Sequence, residues 1–328
     1  MLRVTTRIVD RSYEEQNGIG SARTCDISEL TARGQAQGTA RSLPFGCAQG
    51  HARIAAQGRM NAPFTSMSSP AAQLRQKLNQ GPAYGTFVKL GRREVIEVLA
   101  RAGLDFVICD LEHSQISESE AGTMILAGLN SGLPVIVRVP HFDPGLINRL
   151  LEAGAAGIQL PQIQTRAESL TFQHACRYPP QGNRSISLAQ PAAGFGAEPL
   201  LDYIRRANDE VLVVGQLESK ELEQPIEALV RGLSVAFIGT LDLTVDMGVP
   251  GKLDDPIVQQ RLRAIEHAAN DAGVPLGIYA DSPARAVQAA AAGYRLIAVS
   301  SDVAALSAGA KNWVRQLQET AAGVTGRP

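Results

Sequence analysis

Four stretches of this chain repeat one phrase, in which a helical pattern ends, a glycine follows and an apolar run begins. They are LARAGLDFV (99–107), LEAGAAGIQ (151–159), NDAGVPLGI (270–278) and AAAGYRLIA (290–298). A glycine just past a helix supplies the left-handed residue that stops it, so each phrase reads as helix, stop, strand. Eight apolar, β-branched runs share the rhythm: GTFVKL (85–90), FVICD (106–110), VIVRVP (135–140), GIQLP (157–161), VLVVGQLE (211–218), VAFIGT (235–240), PLGIYA (275–280) and LIAVSS (296–301). Continuous apolar strands joined by helical crossovers form a parallel sheet covered on both faces. Eight such units predict a closed (β/α)₈ TIM barrel. An open doubly wound sheet is the alternative, but GTFVKLGRRE lacks the GxGxxG fingerprint often found there.

The intervening segments carry helix signals. A short helix over 71–78 is expected before the first run. REVIEVLARAG places Val95, Leu99 and Ala102 on one side, with Gly103 as its stop. Asp255 followed by Pro256 reads as a cap and a first-turn proline. Val258, Leu262, Ile265 and Ala269 then form an apolar stripe ending at Gly273. Gly293 closes SPARAVQAAAAGY in the same way. The segment from about 177 to 205 is long for a βα loop and suggests an inserted lid or an oligomer contact.

With 328 residues, 45% of them hydrophobic, the chain can bury a large core. Lys+Arg is 31 against 32 for Asp+Glu, a formal net charge of -1, so no basic field points to nucleic acid. No run reaches the roughly 18 apolar residues that span a bilayer. Cys25, Cys47, Cys109 and Cys176 form no CxxC pair, and no apolar segment follows Met1. Together these predict a cytoplasmic protein with reduced thiols. Residues 1–70 hold eight Arg and no Lys among scattered apolar residues, and read as a low-complexity, disordered extension. The native start is taken as Met60 or Met67, with one barrel domain over 71–320 and a tail over 321–328.

Barrel enzymes carry their chemistry at the C-terminal ends of the strands. Asp110, Glu112 and His113 follow the second strand and are expected at the mouth rather than in the core. The third strand gives Arg138. The fourth is preceded by Glu152 and followed by Gln162. The fifth gives Gln216, Glu218 and Lys220, the sixth Asp242, the seventh Asp281 and the eighth Asp302. Glu218 and Asp242, two carboxylates from adjacent strands, suit a hard divalent cation such as Mg²⁺ or Mn²⁺. The other reading is a salt bridge, for example between Glu218 and Lys220. His113 is either a satisfied structural histidine or a general base. Arg138, flanked by valines, needs a partner, either Glu112 or an anionic substrate oxygen. Gln216 lines the interior or hydrogen-bonds a ligand.

These segments resemble the HpcH/HpaI aldolases. The resemblance rests on DLEHS (110–114), PVIVRVP (134–140), LLEAGAAGIQLPQ (150–162), RYPPQGNRS (177–185), QLESK (216–220) and IGTLDLT (238–244), in that order, and spans about Ala83 to Gln316. It implies a barrel of the phosphoenolpyruvate/pyruvate-binding type and a metal-dependent (class II) aldolase. The implied reaction is reversible cleavage of a 4-hydroxy-2-oxo acid to pyruvate, or a similar 2-oxo acid, and an aldehyde. Glu218 and Asp242 become ligands of Mg²⁺, Mn²⁺ or Co²⁺. His113 becomes the base, and Arg138 the group that stabilises the enolate. From their place beside His113, Asp110 and Glu112 read as residues that orient it, or that hold a metal-bound water or Arg138. Gln216, with the backbone at Leu241 and Asp242, contacts the pyruvyl carboxylate. Glu152 stands where the family has an Asp that raises the basicity of the His. The partners implied are small molecules and copies of the same chain, in a hexamer of dimers that swap the last helix, here near Asp302 to Gln318.

Several positions depart from the family's pattern. GTLDLT replaces GPADLS, so Leu241 adds bulk at the pyruvate site. Glu152 is longer than Asp, Ser185 replaces a Gly, and VSSD replaces VGSD or VGVD at the eighth strand. Three other functions remain open. One is a Schiff-base aldolase using Lys89 or Lys220. Another is a CoA-thioester lyase of the citrate or malyl-CoA lyase type. The third is a catalytically impaired barrel that keeps metal binding. A phosphosugar enzyme is disfavoured, since YADSP and VSSDV lack phosphate-cradling glycines.

Overall fold

The computed structural model describes residues 68–325. The expected N-terminal extension lies, up to residue 67, outside the described residues, as do Cys25 and Cys47.

Eight parallel strands close into a barrel in sequence order. They are β1 (Ala83–Val88), β2 (Phe106–Asp110), β3 (Val135–Arg138), β4 (Gly157–Leu160), β5 (Leu212–Leu217), β6 (Val235–Ile238), β7 (Leu276–Ala280) and β8 (Leu296–Ser301). Each pairs with the next, and β1 closes on β8 with a register shift between Gly85 and Phe87.

Although the strands read as continuously apolar, their side chains alternate between two cores. Phe106 and Ile108 of β2, Ile136 of β3, Leu212 and Val214 of β5, and Val235 and Phe237 of β6 fill the barrel. Val107, Cys109, Val135, Val137, Val213 and Ala236 face outward and pack beneath the helices. Fully burying a side chain of this size contributes about 1.5–3 kcal/mol. The helix Pro70–Gln80, capped by the Ser69 hydroxyl, sends Leu74 and Leu78 into the inner core beside Ala83, Phe106 and Leu296. It closes the barrel at the N-terminal ends of the strands.

The expected helices are present, with small differences. Arg93–Arg101 buries Ile96 completely, while Val95 and Leu99 are half-buried and Ala102 is exposed, so the inner face is turned slightly from the predicted one. Pro256–Asp271 follows its predicted cap and stripe. The last helix, Asp302–Thr325, runs through most of the expected tail. Beyond Arg177, Tyr178, Ala193 and Tyr203 form a small core of their own, and the turn Pro191–Gly196 packs against the helix Pro144–Ala153 on the outside of the barrel. Among the described residues no helix is long and apolar enough to cross a membrane.

Candidate active site

The same alternation that packs the barrel decides which polar side chains it encloses. In β2 the inward positions are Phe106, Ile108 and then Asp110. In β3 Ile136 is followed inward by Arg138, and in β5 Leu212 and Val214 are followed by Gln216 and Glu218. The inner core therefore turns polar at its C-terminal layer.

Asp110 is 0% exposed, so it belongs to the interior and not, as the sequence suggested, to the solvated rim. Two cations neutralise it. Arg138 Nε and Nη2 donate to Oδ1 (2.9 Å) and Oδ2 (2.7 Å), and the Lys89 ammonium also donates to Oδ2. Burial alone raises a carboxyl pKa, but these bonds and charges win and hold Asp110 down at about 2. Its Oδ1 also accepts the backbone N–H groups of Glu112 (3.1 Å) and His113 (3.2 Å). Asp110 thus fastens the loop that carries the histidine and leaves the imidazole to other partners. Arg138 lies over the Phe87 ring at 4.8 Å, and its Nη1 is 3.1 Å from Glu112 Oε2. The same Glu112 oxygen is 3.7 Å from His113 Nε2. Burial, with Asp110 and Asp242 nearby, raises the Glu112 pKa against the pull of Arg138. The His113 side chain is 56% exposed, open to the mouth.

Glu218, 4% exposed, sits at the end of β5. Its Oε1 accepts the backbone N–H of Gln162 (3.0 Å), a residue held in the left-handed region at φ 56°. Its Oε2 accepts from the Gln216 amide, whose oxygen accepts from Gln159, a wholly buried residue of β4. Burial, then the negative charges of Asp242 and Glu112, push Glu218 up to about 7. No ion pair joins it to Lys220, so the salt-bridge reading fails among the described residues; the Lys220 backbone N–H instead donates to Asp246 Oδ2. Asp242 lies exposed in the first turn of the helix Thr240–Asp246. Between β6 and that helix, Gly239 has no room for a side chain: a Cβ there would lie 2.1 Å from Glu218 Oε2.

Glu218, buried without a counter-charge, is costly to keep ionised, and hard oxygen donors match a divalent cation. Glu218 and Asp242 fit that role as a pair. Among the described residues no group of three or more His, Cys, Asp or Glu is poised for a metal. Two carboxylates suffice for Mg²⁺ when water and substrate supply the remaining oxygens.

A cavity of about 230 Å³ opens over this layer, lined by Lys89, His113, Arg138, Gln216, Leu241 and Asp242, among others. Residues 83–308 match the model of the HpcH/HpaI aldolase/citrate lyase family. The chain belongs to this family. It is 32% identical over 246 residues to a hydroxypyruvate/pyruvate aldolase of Paraburkholderia phytofirmans, covering 72% of this chain and 94% of that protein. It is 34% identical over 190 residues to a 4-hydroxy-4-methyl-2-oxoglutarate aldolase of Chaetomium globosum, covering 56% of this chain and 70% of the other. A solved HpcH/HpaI aldolase/citrate lyase family structure from Burkholderia cenocepacia J2315 superposes with a TM-score of 0.70 at 32% identity, over 75% of this chain and 98% of that one. The protein is a carbon–carbon lyase, and aldolase chemistry follows at the level of the family.

Against the family's pattern, the fold gathers Glu112, His113, Arg138, Gln216, Glu218, Leu241 and Asp242 at one mouth, over the buried Asp110. It does not bring Glu152 there. Glu152 lies one residue from the end of the helix Pro144–Ala153, which runs from the top of β3 to the bottom of β4. Its carboxylate accepts from Asn148 (3.2 Å), and among the described residues no bond links it to His113. Ser185 bonds the same Asn148 (3.1 Å), so its departure from Gly touches this outer patch and not the mouth. Asp281 pairs with Arg285 on the surface, and Asp302 accepts the backbone N–H groups of Lys89 and Leu90, 3.0 Å each. Sequence reasoning missed Gln159 and underrated Lys89. The inward phase of GIQLP, fixed by Ile158 facing out, would have signalled the first.

Proposed function

We propose that this protein is a divalent-metal-dependent aldolase that reversibly cleaves a 4-hydroxy-2-oxo acid to pyruvate, or a close 2-oxo acid, and an aldehyde. The observation that carries the reading is that His113, Arg138 and Asp242 line one cavity, with the buried Glu218 near enough to Asp242 to feel its charge. When bound by Glu218 and Asp242, a cation such as Mg²⁺, Mn²⁺ or Co²⁺ supplies Lewis acidity to the substrate's 2-oxo and carboxylate oxygens. His113, exposed at the mouth, accepts the proton of the C4 hydroxyl as the C3–C4 bond breaks. The bonding pair passes to C3, giving an enolate and an aldehyde. Arg138, held rigid by Asp110 and Phe87, places positive charge where the enolate oxygen develops. Proton return to C3 completes pyruvate. Gln216 and the backbone amides of Leu241 and Asp242 orient the pyruvyl carboxylate.

A Schiff-base route is disfavoured, because the Lys89 nitrogen is engaged by the fully buried Asp110 carboxylate. The cavity volume, below the roughly 300 Å³ of the smallest sites for drug-sized ligands, suits a small acid better than a CoA thioester. The buried free thiols of Cys109 and Cys176 accord with a cytoplasmic setting. The long segment's Phe195 and Leu201 and the last helix's Leu306, Trp313 and Leu317 are exposed apolar side chains, as a homo-oligomer that exchanges this helix would require. Within one chain Glu152 cannot serve His113, so that role falls to it only across such an assembly.

Pyruvate release from a panel of 4-hydroxy-2-oxo acids, with Mg²⁺ or Mn²⁺ present, tests the reaction. His113→Ala and Arg138→Ala are each expected to lower kcat about 10²–10⁴-fold. Turnover that persisted both in EDTA and in Glu218→Ala would refute the metal-dependent reading.

A further inference from the structure

Around the cavity the two walls are spent differently. Glu218 and Asp242, on β5 and just past β6, face the end where the pyruvyl half belongs. In a ring of eight strands, β8 and β1 stand across from β4 and β5. That far wall is lined by Tyr279 of β7, Ser300 and Ser301 of β8, and Lys89 beyond β1. Ser301 accepts the backbone N–H of Ala304 (3.2 Å). The hydroxyls of Tyr279 and Ser300 make no hydrogen bond with any described residue. Lys89 has three ammonium protons; one goes to Asp110 and one to the His113 carbonyl (3.2 Å), leaving a third.

Ser300 is the most telling of these. Its φ is 55°, a left-handed conformation that a serine holds only against strain. A glycine would hold it freely. A side chain kept there at a cost, lining the cavity with its hydroxyl unspent, is placed for a ligand. The ligand's charge follows from the neighbours. Arg138 and Lys89 are offset by Asp110 and Glu112, so the wall offers hydrogen bonds without a net positive field.

Resting on the aldolase reading above, we infer that Ser300, Tyr279 and the third Lys89 proton form the subsite for the aldehyde half of the substrate, and that they select a hydroxylated aldehyde over an aliphatic one. Glycolaldehyde and propanal differ by one hydroxyl in place of a methyl group, and both can be added to pyruvate. The wild-type protein with Mn²⁺ should favour glycolaldehyde in kcat/KM by about tenfold or more, since an unpaired donor facing a methyl group is penalised. Ser300→Gly, which relieves the backbone, should keep or raise Tm while cutting that ratio about tenfold. Tyr279→Phe should cut it in the same direction. Equal use of the two aldehydes by the wild type overturns the inference, as does a preference that survives both substitutions. Pyruvate methyl H/D exchange in D₂O, which needs no aldehyde, separates the two levels. Exchange without hydroxyl preference overturns the subsite alone, whereas absence of exchange and of addition overturns the aldolase reading and the subsite together.

Discussion

At Asp110, burial and charge pull against each other, and the balance can be followed with pH. Its pKa in the folded protein, about 2, lies below the ordinary value of about 3.9. A depressed pKa contributes stability above the ordinary value and loses it as pH falls toward the folded one. For this carboxylate the contribution is about 2 kcal/mol, lost between about pH 4 and pH 2. Asp110→Asn should therefore destabilise strongly near neutrality, by about 3–5 kcal/mol, because Arg138 and Lys89 lose their shared partner. Urea denaturation at pH 7 and at pH 3 checks the sign: the gap between variant and wild type should narrow in acid. An equal gap at both would mean that the carboxylate's charge is not what holds the pair.

The elements themselves were largely legible in the sequence, and the reason is physical. Helix stops such as Gly103, Gly273 and Gly293 all take positive φ, and the cap at Asp255 bonds the first turn as its residue type dictates. What the sequence hid was phase. An all-apolar strand does not announce which residues face in, so Asp110 read as rim when it is interior, and Gln159 did not read as a site residue at all. Helix polarity hid Glu152 in the same way: proximity in sequence to β4 placed it at the wrong end of the barrel. The site's shape also depends on backbone positions with no chemistry of their own. Between β6 and the helix Thr240–Asp246, Gly239→Ala would drive a methyl group into Glu218 Oε2. Mn²⁺ affinity measured by calorimetry should fall about 10–100-fold, as for other losses of ligand orientation, while the thermal transition moves only a few degrees. Unchanged affinity would show that Glu218 adapts or does not bind the metal.

At the scale of the whole molecule, the exposed face of the last helix sets an expectation for assembly. Trp313 is the chain's single tryptophan and is largely exposed in the isolated subunit. In an assembly that covers this helix its fluorescence should be blue-shifted and move to the red on dilution, with mass falling in parallel by light scattering. Trp313→Glu should yield the smaller species at all concentrations. A red-shifted, concentration-independent spectrum would speak for a monomer. The helix Pro70–Gln80 has a different consequence. With Leu74 and Leu78 stopping the lower end and Phe87 meeting Phe237 edge to face at 6.3 Å below the cavity, no path runs through the barrel. It is a cup and not a pipe: substrate and both products share one opening, so a group bound at the lip can bar the way for all of them.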